Sequence, residues 1–161
     1  MKTIHRIAVA ALAMLTVLSV LCGCSSAPSE PAKIVSVNDI YSDILALEIL
    51  PEMYLLDDSY IDAYYGIDRT SVSDSVFAVA DDTMLADTVI IVKISETGSA
   101  SDIEQSFSTI NEQRLFEMES YNPEQYARAD KAVIKTIGGY VCYIISDDNG
   151  AVCTAIENNI G

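Results

Sequence analysis

Apolar residues follow three rhythms along this chain, and each rhythm asks for a different structure. Residues 7–21 form a continuous apolar run interrupted only by the uncharged Thr16 and Ser19. Residues 38–50 repeat Ile40, Tyr41, Ile44 and Leu47 at helical spacing, and Pro51 closes the segment, so a helix is predicted there. A second, short helix is expected over residues 58–65, with Gly66 in the position after a helix that favours a left-handed residue. Residues 72–80 alternate loosely and residues 88–94 are rich in β-branched side chains; both read as strands. The second is apolar on both faces apart from Lys93, which argues for a central, covered position.

Helical rhythm returns after Ser99, where Ser101 and Glu104 have the spacing of a capping box. The buried stripe is predicted to be Ile103, Phe107, Ile110, Leu115 and Met118, with Glu112, Glu117 and Glu119 solvated. Tyr121, Asn122 and Pro123 break this helix, and a short helical piece runs on to Ala129. Strands over 132–137 and 140–146 flank Gly138 and Gly139, a hairpin signal. Asp147 or Asp148 then caps a last helix over 150–158, with Val152, Ala155, Ile156 and Ile160 on one face. The order predicts an α+β fold: two layers, with a four-stranded, mainly antiparallel sheet and helices on one face.

The first rhythm concerns location. Lys2, His5 and Arg6 precede the apolar run, whose fifteen residues fall short of the roughly twenty that a membrane-crossing helix needs. Leu21, Cys22, Gly23 and Cys24 follow, and are similar to the lipobox of bacterial lipoproteins: an aliphatic residue, a small residue just before the cut, then the modified cysteine. A plain secretory signal wants a small residue where Leu21 stands. The expected organisation is therefore a signal peptide over residues 1–23, lipid on Cys24, a tether over 24–36 containing Pro28 and Pro31, and one domain over 37–161. Two acyl chains on Cys24 would anchor the chain stably to the outer face of the cell membrane, since one chain binds only marginally.

Charge narrows the partners. Removing residues 1–23 from 161 leaves 138, with 7 basic against 24 acidic residues and a net charge of −17. Such a surface repels phosphate backbones, excludes nucleic acid as a partner, and favours a monomer stabilised by screening salt. The single histidine, His5, leaves with the signal, so the domain has no imidazole for nucleophile activation, acid-base work or zinc ligation. No catalytic residue and no metal ligand is assigned. Aspartates cluster at Asp57, Asp58 and Asp62, at Asp81, Asp82 and Asp87, and at Asp147 and Asp148 beside Asn149. None has EF-hand spacing; they read as caps and turns, with weak calcium binding at one of them the sharper alternative and no other cofactor expected. Among nine tyrosines, Tyr60, Tyr64 and Tyr65 are the densest group. Tyr64 and Tyr65 cannot both face inward on one helix, which makes this group the candidate partner surface.

Four segments, Tyr65-Gly66-Ile67-Asp68, Ala86-Asp87-Thr88-Val89-Ile90-Ile91, Tyr121-Asn122-Pro123-Glu124 and Gly138-Gly139-Tyr140-Val141, occur together in one order. Their combination resembles the small secreted lipoproteins of Gram-positive bacteria that carry the domain of unknown function numbered 4358. The resemblance implies a cell-surface lipoprotein and brings no activity and no functional residues. Cys142 and Cys153 stand open between a disulfide, as in exported proteins, and two small buried apolar residues; the resemblance implies organisms in which exported disulfides are scarce. Two function classes remain. The leading one is a non-enzymatic binding or adaptor module for a protein, a wall component or a small solute; the other is a hydrolase using paired carboxylates, as glycosidases do.

Overall fold

The structure is a computed structural model that describes residues 35–161; the apolar run, Cys24 and most of the tether lie outside the described residues. The elements in order are α1 (Val37–Leu45), β1 (Met53–Leu55), α2 (Ser59–Ala63), β2 (Val72–Ala80) and β3 (Thr88–Ile94). They continue with α3 (Ala100–Met118), α4 (Pro123–Ala129), β4 (Val133–Ile137), β5 (Tyr140–Ile145) and α5 (Asn149–Ile160). The sheet has five strands in the order β1-β2-β3-β5-β4, every neighbouring pair antiparallel.

Alternation along the strands sorts the core into two halves. Val76 and Ala78 of β2, Val89 and Ile91 of β3, and Tyr140, Cys142 and Ile144 of β5 pack with α1 and α5. The residues between them, Phe77, Ile90, Val92, Val141, Tyr143 and Ile145, pack on the other face with α2, α3 and α4. Two expectations are corrected here. The helices do not gather on one face; they cover both, because β3 and β5 are apolar on both sides and an uncovered side would leave a run of buried-type residues in water. The sheet has five strands, not four, because β1 adds an edge by pairing Met53 with Ala80 and Leu55 with Ala78. A strand of three residues carries no measurable period, so the sequence pattern does not reveal it.

Local signals explain the boundaries. Ser36 caps α1 through Asn38 N, and the helix stops at Leu45, short of the expected residue 50, with Glu48 in a left-handed turn at φ 55°. Freed from the helix, Ile49 and Leu50 pack against the α1 and α5 core. On α3 the cap is Ser99, which accepts from Asp102 N; Glu104 is instead drawn to Thr136 Oγ1 at 2.7 Å. Asn122 caps α4 with Pro123 in its first turn, and Asp148 caps α5 through Ala151 N. Gly138, at φ 57°, makes the β4-β5 turn. No helix among the described residues is long and apolar enough to cross a membrane.

Candidate functional site

Where β2 ends and β3 begins, the sheet is flanked by α2 and the last turns of α3. Between them lies a cleft of about 300 Å³ walled by Tyr60, Tyr64, Tyr65 and Tyr121 and by Arg114 and Glu117. The tyrosine group singled out from the sequence is thus gathered at one cavity, joined by Tyr121. Tyr65 faces inward at 2% exposure, whereas Tyr60, Tyr64 and Tyr121 are 46%, 49% and 64% exposed. Tyr65 anchors the wall: its ring lies 5.0 Å from Tyr64, edge-on, and 5.0 Å from Phe77. Phe107 follows at 6.1 Å and itself stacks on Tyr143 at 5.5 Å. Burial raises the phenols of Tyr65 and Tyr143, the latter to about 12, so neither ionises near neutral pH.

The residues 81–87 that join β2 to β3 form one rim, and helical side chains hold them down. Ala86 N donates to the buried Gln125 Oε1 at 2.8 Å, and Asn122 Nδ2 donates to Met84 O at 3.0 Å. Arg114 Nη1 donates to Ala86 O at 3.1 Å and to Thr88 Oγ1 at 2.7 Å, with its guanidinium 5.8 Å from the Tyr143 ring centre. Three of the four segments quoted for the family resemblance therefore contribute to this one place: Tyr65, Ala86 to Thr88, and Tyr121 with Asn122.

Asp87 is the electrostatic centre. Its side chain has no exposed area, Oδ2 accepts from Arg128 Nη1 at 2.9 Å, and Oδ1 has no partner among the described residues. Burial raises the carboxyl above its ordinary value, Arg128 lowers it in part, and Asp147, the second partner of Arg128, raises it again. Arg128 also lines a wider depression of about 640 Å³ with Lys131, Asp147 and Asp148.

The acidic clusters do not meet as sets. Asp57 accepts from Ser59 N, Asp82 from Met84 N and Asp148 from Ala151 N, which are turn and cap roles; Asp58 pairs with Arg69. The hydrogen bonds from Ser59 hold the Asp57 carboxyl below its ordinary value. Among the described residues no group of three or more Asp, Glu, His or Cys side chains is placed to hold a metal ion. Cys142, buried on β5, and Cys153, half-buried on α5, are free thiols within one core; burial pushes Cys142 to about 12 and raises Cys153 as well. Neither is therefore a reactive thiolate at neutral pH.

Sequence reasoning missed Arg114, Arg128 and Gln125. A signal for Arg114 was present: it falls seven residues after Phe107, in phase with Ile103, Ile110 and Met118 on the buried stripe. A charge in an apolar phase points to a partner or to a cavity.

Searches of curated proteins and of solved structures find no match to the chain. The family described as Domain of unknown function (DUF4358) matches residues 46–146, the span from just after α1 to just before α5, which holds all five strands and every cleft residue. Over that span, some three-fifths of its length, the chain belongs to the DUF4358 family.

Proposed function

We propose that this protein is a lipoprotein anchored through Cys24 to the extracytoplasmic face of the cell membrane, and that its domain is a non-enzymatic binding module whose ligand site is the tyrosine cleft. The cleft carries the reading: three partly exposed tyrosines stand around one cavity, on a fixed floor of buried rings. Tyrosine suits recognition because each ring offers apolar area and a polar tip at little cost in side-chain freedom. The lipobox-like residues 21–24 support the anchor, and residues 25–36 give the domain reach from the membrane. Weak calcium binding stays subordinate, since Asp57, Asp82, Asp87 and Asp148, one or more in each cluster, are engaged in turns, caps and ion pairs.

Carboxylate hydrolysis is the second reading, favoured by one observation: Asp87, with its raised carboxyl, and Glu117 line the same cleft. A raised carboxyl is what a general acid needs. Asp87 is nevertheless wholly covered and ion-paired, so a substrate could not reach it without displacing Arg128.

Two measurements test the proposal. Cys24→Ala should release the chain from membranes; a mature-length variant that still fractionates with them removes the anchor. Ligands identified by capture on intact cells should be lost with Tyr64→Ala and Tyr121→Ala together, and retention at wild-type affinity removes the cleft. Turnover of wall polymer abolished by both Asp87→Asn and Glu117→Gln would instead establish the hydrolase.

A further inference from the structure

Resting on the binding role of the cleft, we propose that Arg114 makes it a receptor site for a single carboxylate carried on an apolar or aromatic body. Arg114 is distinguished from the other arginines. Arg69 is paired with Asp58 and Arg128 with Asp87 and Asp147, whereas Arg114 has no acidic partner among the described residues. This is notable in a chain with 24 acidic residues, where a stray cation should find a partner easily.

The guanidinium is already fixed. One nitrogen, Nη1, is spent on Ala86 O and Thr88 Oγ1, and the group lies over the Tyr143 ring. The remaining N–H groups have no protein acceptor among the described residues, and the one buried polar side-chain atom left without a partner there is Asp87 Oδ1. They therefore open to solvent in the cleft. A planar fork held in place recognises a planar anion with little ordering cost.

Charge and size select within the anions. One cation, Arg114, lines the cleft together with Glu117, on a protein of net charge −15. A monoanion adds one negative charge to a cleft whose Arg114 and Glu117 offset each other, whereas a phosphate dianion adds two and is repelled more strongly by its surroundings. The tyrosine walls supply the apolar contact, and about 300 Å³ admits a small molecule or the last residue of a peptide.

The test titrates the full chain, carrying isotope-labelled tyrosine, with phenylacetate, with the neutral phenylacetamide, and with a tripeptide ending in phenylalanine with a free C-terminus. Shifts of Tyr60, Tyr64 and Tyr121 resonances with phenylacetate are expected, at least about tenfold tighter than with the amide, as for a charged hydrogen-bonded pair. Arg114→Gln should remove that preference, weakening the acid far more than the amide, and Arg114→Lys should restore part of it. Tighter binding of the tripeptide than of phenylacetate assigns a chain terminus, the reverse assigns a free solute, and either supports the proposal. Equal affinities for acid and amide in the wild type overturn it and leave the cleft reading intact. An Arg114→Gln variant weakened equally toward both probes makes Arg114 a structural clamp and overturns it too. Absence of any tyrosine shift with all probes overturns the cleft reading itself.

Discussion

The two faces of the sheet solve the same burial problem with different materials. Under α1 and α5 the packing is aliphatic, with Tyr41 and Tyr140 as its two rings, and Tyr140 Oη donates to Val35 O at 2.7 Å. Under α2, α3 and α4 stand Tyr65, Phe77, Phe107 and Tyr143, beside the Asp87–Arg128 pair and the Arg114 clamp. Only the second face opens into the tyrosine cleft, and the family match covers that face's helices while stopping short of α1 and α5. Buried charge costs stability unless it is paired. If the cleft binds as proposed, the plain face supports the ring-bearing face that carries the site.

The largest effect expected from this contrast is the loss of the fold in a chain cut to residues 46–146. Every strand and the cleft survive the cut, but Val89, Ile91, Cys142 and Ile144 lose their cover. Each fully buried aliphatic side chain contributes about 1.5–3 kcal/mol, so the exposed set outweighs the 5–15 kcal/mol typical of a whole domain's stability once the rest of that face is included. Urea unfolding should show no cooperative transition; one at the full chain's midpoint would mean that the plain face does not support the other.

Next comes Phe107→Ala, expected to cost about 3–5 kcal/mol, since it empties the centre of the ring cluster. Its counterpart Ile156→Ala should cost about 2–4 kcal/mol while leaving tyrosine resonances of the cleft in place. Cleft resonances that move equally in both variants would erase the division between the faces.

Arg128→Met should cost about 3 kcal/mol at neutral pH, because it leaves the covered Asp87 carboxylate unpaired. The sign of the pH dependence follows from the raised carboxyl. A group raised on folding favours the folded state while protonated, so its contribution is complete below the ordinary 3.8 and is lost as pH climbs through the raised value. Removing Arg128 takes away the lowering influence and extends that loss upward. The deficit against wild type should be small near pH 4 and grow toward neutrality; an equal deficit at both ends would assign the effect to packing.

The smallest contrast pairs one polar contact from each face. Gln125→Ala leaves the buried Ala86 N–H without its acceptor and should cost about 1–3 kcal/mol, loosening the rim of the cleft. Asp148→Ala removes only the cap of α5, for about 1 kcal/mol, with ligand affinity unchanged. Amide hydrogen exchange at Ala86 distinguishes them: faster exchange is expected in the first variant alone.

Much of this was legible in the chain. The strands over 72–80 and 88–94, the α3 stripe of Ile103, Phe107, Ile110 and Met118, the Asn122-Pro123 start of α4 and the Gly138 turn all follow from local period and local chemistry. Even the second helical layer was implied by the two-sided apolar run of β3, which a sheet covered on one face cannot satisfy. Local pattern determined most of the helical, extended and turning segments, because those choices depend on near neighbours, though it ran the first helix past Leu45 to residue 50 and placed the helices on one face. It could not determine that β1 exists, that Tyr121 joins Tyr60 and Tyr64, or that Asp87 meets Arg128 across an interval of 41 residues. Those meetings depend on the order of strands and on which face each helix crosses, and they are set only when the whole apolar surface is buried at once.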